Sequence, residues 1–459
     1  MRCTSAAPSI MGSLLLLHAC WSGAATGQEP VQSGPAASTY PIDLPTTLRL
    51  AGVQNLDVQL AHNAVVEAHA NYTSALERFL PTLAPSASYL HHSGFDQDVS
   101  GHMVDVTKHN DTTGAYLTAQ IPVGDAIFTA LQTHQLVTAA DAGAIAQEQN
   151  SGLTAAQQYF ALVSAGALVE VVNDSLRISQ SYEQQLKEAV QIGIAFKGDA
   201  LRVQTQTERL QLDLTRARQQ QRLAAAQLAQ TLHLQPTIDL VPAEREPAPL
   251  ALADLNASPE ELIRSALENR PELARSTALI AAAEESRRGA IYGPLLPTVG
   301  GQAFAGQFNG APGDMSDTGG ARRDYVVGLS WKIGPGGLLD WGRIRASGAK
   351  LTAAELSDEK LRDQIGREVV DGYTRVQSLF EQLRVARVNL NSAEETLRLT
   401  RQRKQMGVGI VLEDIQAQQE LQKVRTDLVT IVTELNQQQY ALLHSVGTAL
   451  RSTPGSREP

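Results

Sequence analysis

Residues 193–204 and 407–418 of this chain are two versions of one twelve-residue stretch. Each opens on glycine (Gly193, Gly407), runs through apolar residues to a carboxylate (Asp199, Glu413), and places a glutamine five residues later (Gln204, Gln418). The step is 214 residues at both ends, from 193 to 407 and from 204 to 418. Leu80-Pro81-Thr82 returns as Leu296-Pro297-Thr298 after a step of 216. A duplication of this length constrains the fold before composition does, because each copy must be the same supersecondary unit.

The unit reads as helix, strand, strand, helix. In the first copy, residues 44–234, a helical pattern runs from Leu44 to Phe79 and is stopped by Pro81. Strands are predicted at about 82–90 and 114–121, the second with Ala115, Leu117, Ala119 and Ile121 on one face. Between them His91 to Asn110 is polar and reads as a loop. Ala126 to Gln191 is one helical pattern, roughly 100 Å long at 1.5 Å per residue. A tip at 193–204 leads into a helix ending near Leu232. Residues 235–258, with four prolines and no periodicity, read as a linker.

The second copy, 259–450, repeats this order, with strands at about 298–308 and 324–333 around a Gly-rich loop. In the last strand Tyr325, Val327, Leu329, Trp331 and Ile333 face one way. A helix then runs from Leu338 to Met406, with Val369, Val376, Leu383, Leu390 and Leu397 spaced by seven, answered in the first copy by Leu162, Val169 and Leu176. Such a heptad implies coiled-coil packing. Residues 451–459 read as a disordered tail. The fold class expected is therefore mainly α with a small β part.

Met1 to about Gly27 has the form of a secretory signal, followed by an extended arm at 28–43. Both cysteines, Cys3 and Cys20, fall inside it, so cleavage near Gly27 removes every thiol; lipidation at Cys20 is the other processing compatible with Leu17-His18-Ala19-Cys20. Export follows either way. A net charge of −10 with no basic, aromatic-interleaved stripe argues against a nucleic-acid partner.

Strands of about ten residues with one apolar face have the length that crosses a bilayer when tilted, and no helix-length apolar run is read after the signal. Four strands cannot close a barrel, and an open edge in lipid strands its backbone polar groups. The chain is thus expected to oligomerise, with Thr118, Gln120, Ser330 and Lys332 favouring a wet interior. At each tip, glycine relaxes the turn and Asp199 or Glu413 occupies the first turn of the next helix, where the helix dipole favours a carboxylate.

Over essentially all of the mature chain the sequence resembles the TolC-like outer-membrane efflux family. The resemblance is carried by the paired Leu-Pro-Thr, Asn269-Arg270-Pro271-Glu272-Leu273, Leu339-Asp340-Trp341-Gly342-Arg343 and the two tips. It implies a homotrimer with a 12-stranded outer-membrane β-barrel continued by a periplasmic α-helical barrel. It also implies a periplasmic adaptor and an inner-membrane RND pump or ABC exporter as partners. By position, Gly193 and Gly407 match the turn glycines, and Asp199 and Glu413 match carboxylates lining the periplasmic aperture. The chain departs from the family at Gln416, where many members carry a second acid, which weakens the case for a strongly cation-selective constriction. Asp414 is one residue away from Glu413, a turn of about 100°. Lys197, Arg202 and Lys404 lie at the tips, and Arg202 and Lys404 are placed to pair with the carboxylates and help hold the aperture shut.

His91, His92, His102 and His109 with Asp96, Asp98, Asp105 and Asp111 match no compact metal-ligand spacing and read as a solvated loop. Gly334-Pro335-Gly336-Gly337 lacks the Gly-Lys-Ser/Thr ending of a phosphate loop and reads as a strand-to-helix turn. No catalytic constellation and no cofactor motif stands out. The competing class is an exported coiled-coil scaffold or adhesin without a pore, which has no use for the duplicated junctions before strands.

Overall fold

The computed structural model describes residues 39–253, 257–312, 318–406 and 410–448. The signal segment 1–27 with Cys20, the arm up to residue 38 and the tail 451–459 lie outside the described residues. In chain order the elements are β1 (Thr39–Ile42), α1 (Leu44–Gln54), α2 (Leu56–Glu77), β2 (Thr82–Gln97), β3 (Met103–Pro122), α3 (Val123–Gln191) and α4 (Lys197–Thr231). They continue as β4 (Asp239–Pro242), α5 (Pro259–Asn269), α6 (Pro271–Tyr292), β5 (Thr298–Pro312), β6 (Thr318–Ser330), α7 (Trp341–Gln405) and α8 (Val411–Ser445).

The duplication is metrical. Helices α4 and α8 both have 35 residues, and Lys197 to Val411 and Thr231 to Ser445 are each steps of 214. Helices α2 and α6 have 22 residues, and α1 and α5 have 11. The expected single helix over 44–79 is broken in two at Asn55, whose side chain accepts from the Asp57 and Val58 amides and starts a new helix. Arg270-Pro271 breaks the second copy at the same place, since proline cannot donate to the preceding turn.

The heptad residues Val369, Val376, Leu383 and Leu397 of α7 are buried, the last three against α8, and α3 buries Leu162 and Leu176 against α4. The largest core joins Tyr159, Phe160, Leu162 and Val163 of α3 to Leu228 of α4, to Leu232 at its C-cap, and to Ile42 and Leu240 of the short strands. Those strands change the picture of the arm and the linker: Thr39–Ile42 pairs in parallel with Asp239–Pro242. Further along the linker, buried Asn436 and Gln439 of α8 stand in for a neighbouring strand. Asn436 accepts from Leu250 N (2.9 Å) and donates to Ala248 O (2.8 Å), while Gln439 accepts from Leu252 N (2.7 Å) and donates to Leu250 O (2.8 Å). Side-chain amides can satisfy a non-helical backbone in this way, which is why a proline-rich segment can be held against a helix.

One expectation is overturned in α3. It contains an 18-residue stretch as apolar as a membrane-crossing helix, although half of that stretch is buried inside the protein. Alanine and valine supply much of the hydrophobicity, and they allow the close approach of α4, α6 and α8.

The second sheet has the order β2-β3-β5-β6, all antiparallel. The segment His91–Asn110 is not a loop: β2 and β3 stay paired as far as Gln97 opposite Met103, and only the turn between them leaves the ladder. Beyond Tyr89 both faces carry polar residues, so the two-residue alternation that marks a half-buried strand is missing there. Cross-strand contacts hold this extension, among them Ser93 Oγ to Thr107 Oγ1 (3.3 Å) and the Lys108–Asp96 ion pair. In the second copy strand likewise replaces much of the expected Gly-rich loop, since β5 runs to Pro312 and β6 begins at Thr318; residues 313–317 lie outside the described set. At the other end β6 stops at Ser330, so Trp331 and Ile333 fall beyond the strand.

Registers fix the two faces. Leu83, Leu117, Ala303 and Tyr325 form one rung, and Thr118 and Gln302 a rung on the opposite face. On that second face the Phe304 ring lies over Gly114 and Gly306, where a Cβ would come within 2.8 and 2.7 Å of it, and its centre is 4.6 Å from that of Tyr116.

Candidate functional site

The tips are built by chain reversal at the far ends of α3 and α7. Helix α3 ends on Gly193 at φ +78°, where the Ile194 amide reaches back to Ala189 O (3.0 Å) and the Gly193 amide to Val190 O (3.1 Å). This left-handed cap satisfies the last carbonyls of the helix and suits glycine. Space is not the reason, because a Cβ there would touch nothing. Its counterpart Gly407 lies outside the described residues.

Lys197 begins α4 and is exposed; Asp199 follows in the first turn and meets Arg202 Nη1 at 3.3 Å. In the second tip Glu413 and Asp414 share the first turn of α8 but face apart. Glu413 is accessible and lies 3.6 Å from Arg403 Nη1, while Asp414 is only 3% exposed. One oxygen of Asp414 accepts from Gln418 Nε2 (2.9 Å); the other has no hydrogen-bond partner and faces Arg401 Nε at 3.8 Å, an electrostatic contact only. Gln416 is exposed.

Arg202 thus pairs with Asp199, whereas Lys404 does not pair with Glu413. Its Nζ sits 3.4 Å from the ring centre of Tyr182 on α3. The carboxylates opposite are already engaged by Arg401 and Arg403, and the aromatic face is the remaining electronegative surface. Burial lowers the Lys404 pKa, opposed by the nearby Asp414 charge. Burial likewise pushes the Tyr182 hydroxyl up, reinforced by Asp414, and that hydroxyl has no hydrogen-bond partner.

Two further contacts tie the tips together. Ile415 of α8 enters a cluster with Tyr182, Leu186, Ala200 and Val203, and Gln419 Nε2 donates to Gln206 Oε1 at 2.7 Å. Arg401, Arg403 and Tyr182 escaped the sequence reading, and Gln418, read there only as part of the repeated motif, proves to hold Asp414. The basic run Arg401-Gln402-Arg403-Lys404 facing Glu413-Asp414 across one turn was a signal for the first two; nothing in sequence brings Tyr182 to Lys404.

The two other motifs act as joints. Arg270, with its side chain 7% exposed, forks onto Glu272 (3.2 and 3.0 Å) and reaches Glu368 of α7 at 2.6 Å. Asp340 caps α7 through the Arg343 amide (3.0 Å), and Arg343 Nη2 joins Asp125 (2.7 Å) to Gly289 O (2.9 Å). Among the described residues no group of three or more His, Cys, Asp or Glu is placed to hold a metal ion.

Residues 262–448 match the family model described as outer membrane efflux protein. The chain is 24% identical over 344 residues to the outer membrane efflux protein BepC of Brucella suis biovar 1, covering 73% of this chain and 72% of that one. Its fold is similar to that of a membrane protein from Pseudomonas aeruginosa, with a TM-score of 0.75 at 17% identity over 94% of this chain and 98% of the other. It is similar also to the outer membrane protein VceC of Vibrio cholerae, with a TM-score of 0.71 at 18% identity over 88% and 96%.

Proposed function

We propose that this chain, which belongs to the outer membrane efflux protein family, forms as a homotrimer the exit duct of an efflux or secretion assembly. It is an outer-membrane protein with a large periplasmic part. One observation carries the proposal: a four-stranded sheet with both edges unpaired in the single chain, apolar on one face, stands on helices of roughly 100 Å. Three copies supply twelve strands, which leaves no edge and encloses a water-filled lumen.

The pattern on the apolar face supports tilted strands in a bilayer. On β2 it runs Leu83, Pro85, Ala87, Tyr89 and turns polar at His91; on β6 it runs Leu329, Val327, Tyr325 and turns polar at Arg323. Arg323 is level with Ala305, Ala115 and Pro85 through the registers, so the boundary slants by six residues, from 85 to 91, across the sheet. At about 3.3 Å per residue along a strand and about 4.8 Å between strands, that slant across three inter-strand spacings is a tilt of roughly 55°. Transmembrane barrels tilt by about 35–45°, close enough for the band to lie flat in the membrane.

At the opposite end the tips form the periplasmic aperture. Asp199 and Glu413, with Lys197, Arg202, Arg403 and Gln416, are its accessible polar residues; Gly193 makes the first turn, and Gly407 is its counterpart in the sequence repeat. Lys404 on Tyr182 acts between the hairpins to keep it narrow, and Arg401 beside Asp414 braces the second hairpin internally. A periplasmic adaptor and an inner-membrane RND pump or ABC exporter are the partners that such a duct requires. A pore-free scaffold has no use for a sheet with one lipid-compatible face. The test is gel mobility of detergent-extracted outer membrane with and without boiling. A species near three chains that collapses on heating supports the trimer, and a monomer confined to the soluble periplasm overturns it.

A further inference from the structure

In the first repeat β3 passes directly into α3, whereas in the second ten residues, 331–340, separate β6 from α7. This segment is tightly closed on itself. Leu338 N donates to Lys332 O (2.9 Å), Gly334 N to Leu338 O (2.9 Å), Gly337 N to Gly334 O (2.9 Å) and Gly336 N to Asp340 Oδ2 (2.8 Å). With its backbone satisfied internally, the loop can leave water without stranding these polar groups.

Its side chains are the wrong kind for a solvated turn. Ile333 is 74% exposed, Leu339 65% and Trp341 65%. Leu339 also holds φ +75°, a conformation in which glycine or asparagine is the ordinary occupant, so a large apolar residue is retained where the backbone disfavours it. Trp331 is fixed by donation from Nε1 to Leu295 O (3.2 Å). Trp331 and Ile333 continue, beyond the end of β6, the alternation of Tyr325, Val327 and Leu329 on the apolar face. The loop therefore extends the face assigned to lipid, at the end nearest the helices.

We propose that the 331–341 segment is a membrane anchor, inserting Ile333, Leu339 and Trp341 into the periplasmic leaflet of the outer membrane and setting the depth at which the sheet sits. The inference rests on the reading of the sheet as membrane-spanning. Indole rings favour the boundary between acyl chains and headgroups, which is the position this geometry gives them. Arg345, exposed near the start of α7, lies just beyond the loop in sequence and is available to lipid phosphates.

Composition supplies the probe, because the sequence contains three tryptophans, Trp21, Trp331 and Trp341. In the full chain carrying Trp21→Phe, tryptophan fluorescence, excited selectively over tyrosine, comes from the 331–341 segment alone. The purified protein is placed in vesicles of phosphatidylcholine brominated at shallow or deep acyl positions, and aqueous iodide is used as the opposing quencher. The expected result is blue-shifted emission that shallow bromines quench strongly, deep bromines weakly and iodide hardly at all. A parallel sample with Val327→Cys carrying an NBD dye reports on the face of β6. If the dye at 327 lies in lipid while iodide quenches the tryptophans and bromines do not, the anchor is overturned and the channel reading stands. If neither probe reaches lipid, the membrane reading of the sheet fails and the anchor with it. Replacing Ile333 and Leu339 together by serine, which leaves both tryptophans in place, should shift the emission to the red and raise iodide quenching; no shift also overturns the proposal.

Discussion

Lys404 at the end of α7 points its ammonium at the face of Tyr182 on α3, 3.4 Å from the ring centre, and so spans the two helical hairpins of one chain. A contact of this kind is worth about 0.5–2 kcal/mol. If it helps hold the aperture closed, Lys404→Met, which keeps the stem and removes the charge, should raise the open probability by roughly two- to thirtyfold per latch in bilayer recordings. Tyr182→Leu should act in the same direction. Tyr182→Phe should change little, because the hydroxyl has no partner to lose. Equal opening by Phe and Leu would show that the ring face is not what Lys404 uses.

Glu413 and Asp414 are neighbours in sequence with opposite surroundings, and their substitutions should separate accordingly. Glu413→Gln removes an accessible charge from the second tip of every chain, so the reversal potential in a salt gradient should move toward anions, and less so at high salt, where charges are screened beyond about 3 Å at 1 M. Asp414→Asn should leave ion selectivity unchanged, since the side chain is buried beside Arg401 and Gln418. A selectivity shift in the second variant as large as in the first would place Asp414 in the lumen.

How much of this was legible beforehand follows from where the physics is local. Helix length and duplication can be read from residues such as Val376, Leu383 and Leu390, because a heptad needs only the neighbouring helix to explain it. The hairpin at His91–Asn110 was hidden: outside the lipid band both faces are polar, and pairing is decided by the partner strand, not by alternation. The breaks at Asn55 and Arg270-Pro271 were visible as a cap and a proline, yet the surrounding helical periodicity outweighed them. Lys404 was misassigned because its partner Tyr182 lies on another hairpin, more than two hundred residues away. Arg401 and Arg403 were within reach, since a basic last turn followed by an acidic first turn is a sequence pattern.

Arg270 is almost fully buried with two carboxylates, Glu272 and Glu368. Burial works against its charge, and the two hydrogen-bonded carboxylates overcome that, holding its pKa above the usual arginine value. Removing one partner of a buried ion pair leaves the other charges uncompensated and costs about 3–5 kcal/mol. Arg270→Ala should therefore lower the thermal midpoint followed by circular dichroism by several degrees. Arg270→Lys should recover only part of the loss, because an ammonium cannot fork onto Glu272 while reaching Glu368. Full rescue by lysine would reduce the site to a matter of charge alone.

His444, in the last turn of α8, gives the same joint a pH dependence. The imidazole is buried, its Nε2 has no hydrogen-bond partner, and the charged groups facing it are Arg270, Glu272 and Glu368. Burial lowers its pKa below the ordinary 6.5, Arg270 adds to the shift, and the two glutamates oppose it. Between the lowered folded value and 6.5 the unfolded chain binds more protons than the folded one, so stability rises with pH in that window and falls on acidification through it. The slope has an upper limit of about 1.4 kcal/mol per pH unit for one group. Glu368 contributes the opposite partner's effect at lower pH: its pKa is depressed below 4.5 by Arg270 in spite of burial, so its contribution is present above 4.5 and lost only as pH falls below that. Midpoints measured from pH 7.5 down to 5 should therefore decline, and His444→Gln should flatten the decline in this interval while leaving the steeper loss below pH 4.5. A curve for the glutamine variant parallel to that of the parent would assign the sensitivity to another group.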